Sequence, residues 1–250
     1  MAVLWVTVFS SVLILSAVWG FGLQASTGDN YGIYGGHEIS IEEAPYMVGI
    51  YASTFLYWRF RFKCGGSIIH EKFVVTAAHC AVDFYSVQVA VGSNHLDQGD
   101  FMAVDARITR DYDHSVLFND VCLLKLVKSI QFGPRMAPVQ LPEDGFELDT
   151  FTLVNVTGWG KTETEIPTAT TLRQVSVQVL PEQYCPMDTV ICAGSQGHGT
   201  CNGDSGGPLV YNNVLVGLVS YRRQDQCAGP FGTVYMRVAS YSEWIKSHLT

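Results

Sequence analysis

Residues 201–208 read Cys-Asn-Gly-Asp-Ser-Gly-Gly-Pro, a glycine-rich turn that carries Ser205 directly after the carboxylate of Asp204. Glycines let backbone N–H groups approach a reacting centre, because no Cβ is in the way. Two N–H groups aimed at one point form an oxyanion hole, which stabilises the tetrahedral intermediate of acyl transfer. The same composition also suits a flexible surface loop, so the turn by itself leaves both interpretations open.

Two stretches upstream supply the groups that a serine nucleophile needs, because a serine hydroxyl is weak until a base takes its proton. Residues 74–80 read Val-Val-Thr-Ala-Ala-His-Cys and end a β-prone run at His79 and its neighbour. Residues 119–126 read Asn-Asp-Val-Cys-Leu-Leu-Lys-Leu and place Asp120 before an apolar run. Each residue alone would be an ordinary barrel histidine or a turn aspartate. Their order ahead of Ser205 is one of the known orders of a catalytic triad.

Together the three motifs resemble the chymotrypsin-like (S1) serine proteases, whose hallmarks are TAAHC, a D-x-x-LLKL run and GDSGGP. The resemblance extends from Ile33 to the C-terminus, and the Gly-Trp-Gly at 158–160 matches a further landmark of the family. It implies a serine endopeptidase that hydrolyses peptide bonds of protein or peptide substrates through an acyl-enzyme intermediate. The alternative from another class is a catalytically silent homologue that acts as a secreted binding protein.

The resemblance also implies a role for each residue of the site. Ser205 would attack the scissile carbonyl, His79 would take the proton and later give it to the leaving amine, and Asp120 would fix the imidazole tautomer. The N–H groups of Gly203 and Ser205 would form the oxyanion hole. Ser220 matches a family serine that helps to hold the aspartate.

The specificity pocket follows from the same resemblance. Its floor position is Gly199, where trypsin-like enzymes have an aspartate, so the predicted preference at P1, the residue before the scissile bond, is non-tryptic and elastase-like or mixed. Its walls would include Ser220, Tyr221, Arg222 and Thr233. Three arrangements of Arg222 stay open: a shallow pocket for small residues such as Ala or Val, an inward guanidinium that receives Asp or Glu, or a side chain folded out over solvent.

The body of the chain predicts an all-β fold. Between residues 33 and 238 there is no long amphipathic helix, and short β-rich runs recur between Gly, Pro, Asn and Asp. Parallel βαβ units would need intervening helices, so the sheets are expected to be antiparallel. Such β-rich runs occur, for example, at 67–69, 73–76, 87–91, 121–127, 152–156, 171–180 and 214–220. The resemblance implies a protease domain over 33–250, with two six-stranded Greek-key barrels (about 33–140 and 141–238) and a C-terminal helix (about 240–249) capped by Ser240 or Ser242.

The N-terminus predicts secretion. Residues 1–23 carry no charged side chain, and the apolar run at 2–18 fits the core of a signal peptide, which we expect over 1–25. An extracellular protein follows. The competing interpretation is an uncleaved membrane anchor, because the apolar run is nearly long enough to span a bilayer.

A short activation propeptide is expected at 26–32, because Ile33 stands where the family has its mature N-terminus. The resemblance implies that cleavage before Ile33 frees an α-amino group that pairs with Asp204. Since Gly32 precedes the cut instead of Arg or Lys, the activating protease should have a non-tryptic specificity. The alternative is that Ile33 stays uncut and the protein remains a zymogen.

The seven cysteines are an odd number, which in a secreted chain indicates three disulfides and one free thiol. Matching the family gives the pairs Cys64–Cys80, Cys185–Cys192 and Cys201–Cys227. Cys122 is then expected to be a buried thiol that acts as a small hydrophobic residue. No Cys-x-x-Cys pair supports zinc, and Asp97 and Asp100 lie in no EF-hand pattern, so neither a metal nor a cofactor is expected.

The charge limits the partners. The 250 residues include 15 Lys and Arg against 23 Asp and Glu, a formal net charge of −8. This balance argues against nucleic-acid or anionic-membrane binding as the main task. Contact with a membrane is therefore not expected unless the N-terminal segment stays uncleaved. The protein is expected to be a monomer.

Overall fold

The computed structural model describes residues 33–56, 58–161, 170–223, 227–229 and 231–249. The predicted signal peptide and propeptide lie outside these residues. No helix in the described part of the chain is long and apolar enough to cross a membrane.

The first half of the chain forms a closed antiparallel barrel. Its strands pair in the order β2-β3-β4-β7-β6-β5, and β2 also pairs with β5, which closes the barrel. The strands are β2 (Met47–Ser53), β3 (Arg61–His70), β4 (Phe73–Thr76), β5 (Ser86–Val91), β6 (Asp100–Thr109) and β7 (Cys122–Leu126). In β5 the valines at 87, 89 and 91 are buried and alternate with less buried residues, the pattern of a half-buried strand.

The second half forms a second six-stranded barrel in the order β9-β10-β13-β12-β11-β8, which the pairing of β8 with β9 closes. Its strands are β8 (Leu153–Gly158), β9 (Arg173–Val179), β10 (Val190–Gly194), β11 (Pro208–Tyr211), β12 (Val214–Arg222) and β13 (Thr233–Arg237). The predicted fold class, two six-stranded antiparallel barrels and a short C-terminal helix, is confirmed.

The N-terminal strand does not belong to the barrel that follows it in the sequence. β1 (His37–Glu38) pairs with β9 of the second barrel, through His37 with Gln174 and Glu38 with Arg173. The segment from Ile33 therefore lies against the second barrel, whereas the first barrel's own strands begin at Met47. This pairing carries the buried Ile33 to the barrel that also holds the Ser205 turn.

The chain ends in the helix α1 (Ser242–His248), which follows a 3₁₀ turn at Val238–Tyr241. Tyr241 of the turn and Ile245 of the helix are buried in a hydrophobic core cluster. The predicted capping by Ser240 or Ser242 is wrong, because no side chain caps the helix. Ser242 instead donates its hydroxyl to the carbonyl of Pro142 at 3.1 Å, which attaches the helix to the segment between the barrels.

The three expected disulfides are present, Cys64–Cys80, Cys185–Cys192 and Cys201–Cys227. Cys122 is free and fully buried in β7. Its burial raises the pKa of the thiol to about 12, so the nucleophilic thiolate is scarce at neutral pH.

We predict that the Cys122 thiol is chemically inert in the folded protein. The side chain has no exposed area, and its raised pKa keeps it protonated. Iodoacetamide at neutral pH should modify no cysteine of the native chain and one cysteine after denaturation without reductant, as counted by mass spectrometry. Rapid modification of Cys122 in native protein would contradict this prediction.

Candidate active site

His79 and Asp120 meet because their strands are neighbours. β4 pairs with β7 in the register Thr76–Cys122. His79 lies in a 3₁₀ turn just after β4, and Asp120 lies just before β7, so antiparallel pairing brings both to one end of the first barrel. The Cys64–Cys80 disulfide ties the histidine turn to β3.

The Asp120 carboxylate is fully buried and accepts three hydrogen bonds. The His79 backbone N–H donates to Oδ1 at 2.9 Å, and the His79 ring Nδ1 contacts Oδ2 at 2.8 Å. The Ser220 hydroxyl donates to the same Oδ2 at 2.5 Å. Because a carboxylate only accepts hydrogen bonds, the ring proton lies on Nδ1, and the lone pair of Nε2 is left free to act as a base.

Ser220 makes this arrangement a contact between the two barrels. It lies in β12 of the second barrel, whereas His79 and Asp120 belong to the first. Its hydroxyl therefore fixes the aspartate relative to the barrel that carries Ser205. The position that the sequence assigned to Ser220 beside Asp120 agrees with this geometry.

The turn that carries Ser205 is held by backbone hydrogen bonds from both barrels. The carbonyl of Ser205 accepts the N–H of Gly65 in β3 at 2.8 Å, and the N–H of Gly206 donates to Val219 in β12 at 2.7 Å. In the described part of the chain, no hydrogen bond joins the Ser205 hydroxyl to His79. Such bonds are often long without substrate and shorten when it binds.

The turn requires glycine at two positions. Gly206 has a φ of +71°, and a Cβ there would lie 2.1 Å from the Thr76 hydroxyl oxygen and 2.7 Å from the Gly65 carbonyl oxygen. Gly203 has a φ of +102°, where L side chains are rare. Among the described residues, the N–H groups of Gly203 and Ser205 have no protein acceptor. Both donors are therefore free for a substrate oxygen.

The side chain of Asp204, which directly precedes Ser205, points into the protein interior next to this turn. The side chain is fully buried, and it accepts N–H bonds from Gly160 at 2.7 Å and from Cys201 at 2.8 Å. Desolvation raises its pKa to about 7, although these two bonds and the charge of Arg222 act in the opposite direction. In this state of the chain, burial opposes ionisation of the carboxyl group.

The Gly-Trp-Gly landmark provides the space that Asp204 occupies. A Cβ on Gly158 would lie 2.3 Å from one carboxylate oxygen of Asp204, and a Cβ on Gly160 would lie 2.2 Å from the other. The same Gly158 position is 3.5 Å from the terminal methyl group of Ile33. Ile33 and Asp204 thus border one small space, although they are far apart in the sequence.

Two of the predicted pocket residues, Arg222 and Thr233, face each other across the paired strands β12 and β13. Gly199 donates its N–H to the carbonyl of Tyr34 at 3.0 Å, and Thr233 is buried against Thr200, with their hydroxyl oxygens 2.7 Å apart. Tyr221 is half-buried, and burial raises the pKa of its hydroxyl. No motif in the sequence assigned a separate role to Thr200, which directly follows Gly199.

The Arg222 side chain reaches across to the opposite pocket wall. Its guanidinium donates to the side-chain oxygen of Asn202 at 2.7 Å and to the sulfur of Cys227 at 2.7 Å. It also lies 3.6 Å from the sulfur of Cys201. The guanidinium therefore lies against Asn202 and the Cys201–Cys227 disulfide, and which of the three arrangements a substrate meets stays a prediction.

Two further side chains support the site, and no sequence signal indicated them. Arg107 donates to the carbonyls of Ala81 at 2.9 Å and Phe84 at 2.6 Å, which holds the loop after His79. Tyr241 donates to the side-chain oxygen of Asn119 at 3.0 Å, directly before Asp120. Both contacts join residues far apart in the sequence.

One group of potential metal ligands occurs in the described residues, at Cys64, His79 and Cys80. Both of its cysteines are in a disulfide. Because a thiolate is what binds a metal ion, this group is unsuited to metal binding.

Comparisons with known proteins agree over most of the chain. The trypsin family model matches residues 33–245. Trypsin 5G1 of Aedes aegypti is 34% identical over 94% of this chain and 97% of its own length. Duodenase-1 of Bos taurus is 34% identical over 94% and 95%. Among solved structures, human heparin binding protein superposes with a TM-score of 0.78 at 27% identity, covering 87% and 96% of the two chains. Neuropsin of mouse brain gives 0.77 at 28%, covering 86% and 99%.

We predict a pH-dependent stability that Asp204 controls. The pKa of its carboxyl rises from 3.8 to about 7 on folding, so the uncut native state binds a proton that the unfolded state releases. The free energy of unfolding should therefore fall by roughly 2–3 kcal/mol between about pH 5 and about pH 8. The measurement is urea unfolding across this range with the disulfides intact. Asp204→Asn, which cannot ionise, is the control, and equal pH profiles for the two chains would contradict the prediction.

Proposed function

Because the chain belongs to the trypsin family of serine proteases, we propose that it hydrolyses peptide bonds through an acyl-enzyme formed on Ser205. The observation that carries this proposal is the buried Asp120 carboxylate, which binds both the ring and the backbone of His79. A histidine held in this tautomer keeps the Nε2 lone pair available as a base, because its neighbour at 3.6 Å is the disulfide sulfur of Cys80, which has no proton to donate. Together with the glycine turn of Ser205, these groups provide what acyl transfer needs.

The reaction would proceed in two halves. Ser205 Oγ attacks the scissile carbonyl carbon while His79 Nε2 takes the proton of the Ser205 hydroxyl. The resulting oxyanion accepts hydrogen bonds from the N–H groups of Gly203 and Ser205. His79 then gives the proton to the leaving amine as the C–N bond breaks. In the second half, a water molecule attacks the acyl-enzyme carbonyl while His79 takes its proton. His79 then returns the proton to Ser205 Oγ as the ester bond breaks, and the product carboxylic acid is released. Asp120 stabilises the imidazolium in both halves.

We propose that the protein is secreted and activated by cleavage before Ile33. The three disulfides support an oxidising compartment. The buried position of Ile33, beside the space that Asp204 fills, supports the pairing of its freed α-amino group with that carboxylate. A cation there would lower the pKa of Asp204 and stabilise the oxyanion turn beside it. In the cleaved chain, the decline of stability with pH should therefore be smaller.

We propose a non-tryptic preference for small residues at P1, such as Ala or Val. The floor at Gly199 offers no carboxylate to a lysine or arginine. The buried Thr200–Thr233 pair narrows the base, and Arg222 narrows the opening. Because its guanidinium is already bonded to Asn202, a small P1 residue is favoured over an acidic one. An acidic P1 residue would have to compete with that bond.

We predict that a fluorophosphonate probe labels Ser205. The protein would carry Gly32→Lys so that trypsin frees Ile33, and N-terminal sequencing would verify the cut. Ser205→Ala should abolish labelling, and His79→Ala should slow it by about two to four orders of magnitude, since the base is removed. Ser240→Ala, at an exposed serine, should label like the parent. No labelling of a chain that starts at Ile33 would contradict the proposal and favour the silent binding homologue.

We predict that Arg222→Gly changes the preferred P1 residue, because it removes the side chain that bridges the pocket walls. Cleavage after Phe, Tyr or Leu should rise by about ten-fold or more relative to cleavage after Ala. The measurement is kcat/KM over a peptide library that varies P1. Arg223→Gly is the matched control, because this neighbouring arginine is exposed and donates to the Tyr184 carbonyl instead. A parent enzyme that cuts mainly after Asp or Glu would contradict the small-residue preference.

A further inference from the structure

A cluster of exposed aromatic and aliphatic side chains covers the loop between β2 and β3. Phe55, Leu56 and Trp58 are 70%, 80% and 74% exposed, and Tyr85 beside them is 55% exposed. The Tyr85 ring meets the rings of Phe55 and Trp58 edge-on, with both centroid distances 5.8 Å. Single exposed apolar residues are ordinary, but a contiguous exposed group marks a surface that is used.

This apolar tip is held by the barrel beneath it. The backbone N–H of Tyr85 donates to the carbonyl of Ser53 at 3.0 Å, at the end of β2. The loop that carries Phe55 and Trp58 begins at the next residue. The aromatic rings are therefore attached at the end of β2, and the loop between β2 and β3 holds them at the surface.

Three cations line a groove directly behind the tip. Arg59, Arg61 and Lys63 are exposed, and they alternate with Phe60 and Phe62, which are less exposed. Arg61 and Lys63 lie at the start of β3, and Arg59 lies in the bend just before that strand. They line a groove of about 400 Å³, and among the described residues none of the three forms an ion pair. Lys63 only lies over the Phe84 ring, 5.5 Å from its centroid.

We propose that this surface, the apolar tip with its three cations, docks the protein on an anionic lipid bilayer. Trp, Tyr, Phe and Leu side chains enter the headgroup region, and Arg and Lys beside them attract anionic headgroups. A sulfated polysaccharide would pair with the cations but leave Phe55 and Leu56 in water. An acidic peptide would need pockets between the rings, which protrude instead. A bilayer is the one partner that uses both halves of this surface.

The overall charge does not exclude this proposal. The net charge of −8 argues against anionic membranes as an average over the whole chain. At physiological ionic strength, however, the screening length is about 8 Å. The electrostatic interaction with anionic headgroups is therefore set by the cations at the contact surface and not by the net charge of the whole chain. Docking should therefore depend on the local patch and weaken as salt rises.

The position of the surface relates docking to catalysis. Lys63 immediately precedes Cys64, whose disulfide reaches the residue after His79. Two residues further along β3, Gly65 donates its N–H to Ser205. A docked protein would therefore hold its active-site cleft close to the lipid surface, where membrane-attached substrates lie.

The test is binding to lipid vesicles, measured by co-sedimentation. The full chain, purified from a secretory host with its N-terminus sequenced, would carry Ser205→Ala so that proteolysis plays no part and the result does not depend on the proposed activity. Vesicles of phosphatidylcholine with roughly one third phosphatidylserine are compared with pure phosphatidylcholine. The parent should bind the anionic vesicles and shift its tryptophan emission to the blue.

Two variants separate the halves of the surface. Phe55→Ser with Trp58→Ser removes apolar contacts, and Arg59→Gln with Arg61→Gln and Lys63→Gln removes charge. Each should weaken vesicle binding by about ten-fold or more. The matched controls are Phe151→Ser with Leu153→Ser, and Lys125→Gln with Lys128→Gln and Arg135→Gln, which change the same numbers of exposed residues elsewhere and should bind like the parent. Unchanged thermal unfolding verifies that each variant is folded.

Four outcomes would overturn the proposal. The first is no binding of the parent to anionic vesicles. The second is binding that survives both patch variants, which would assign it to another part of the chain such as the N-terminal segment. The third is a loss with the charge variant alone, which would indicate a polyanion or an acidic protein as the partner. The fourth is an equal loss in the control variants.

Discussion

The burial of the Asp204 carboxyl group is the constraint on which the site depends. A fully buried acid has to be given space and hydrogen bonds, and the Gly158–Gly160 segment, which is distant in the sequence, supplies the space and one of the two bonds. Gly158 and Gly160 leave the space, and the N–H groups of Gly160 and Cys201 supply the bonds. Because Asp204 directly precedes Ser205, the cost of burying this one group is linked to the conformation of the nucleophile turn.

A second constraint is that the site is shared between two barrels. The first barrel brings His79 to Asp120 through the pairing of β4 with β7. The second barrel supplies Ser205 and the Ser220 hydroxyl that binds Asp120. The hydrogen bond from Gly65 to the Ser205 carbonyl crosses in the other direction. The relative position of the barrels is therefore fixed at the residues that carry the chemistry.

The surface shows why average charge is a weak guide to partners. A net charge of −8 describes the whole chain, but the groove beside the β2–β3 loop is lined by Arg59, Arg61 and Lys63. Neither the pairing of the aromatic rings around Tyr85 nor the groove that the three cations share is visible in a composition. The local arrangement of charges determines which partner a surface can bind, since screening by salt limits the range of distant charges.

The sequence by itself determined the family and the triad candidates, because three short motifs in a fixed order carry the histidine, the carboxylate and the glycine-flanked serine that the chemistry needs. Its short β-rich runs determined the all-β class. It predicted β4 and β7 well, since their apolar runs are compact. The runs that it singled out do not include β2, whose seven residues are all buried and show no alternation, or β6, whose alternation carries few large apolar residues. Only the tertiary structure decided that Ser242 bonds Pro142 instead of capping its helix, that β1 joins the second barrel, and that Arg222 reaches Asn202. Each of these contacts joins residues that the fold brings together, and a side chain's partner across such a distance leaves no local pattern in the sequence.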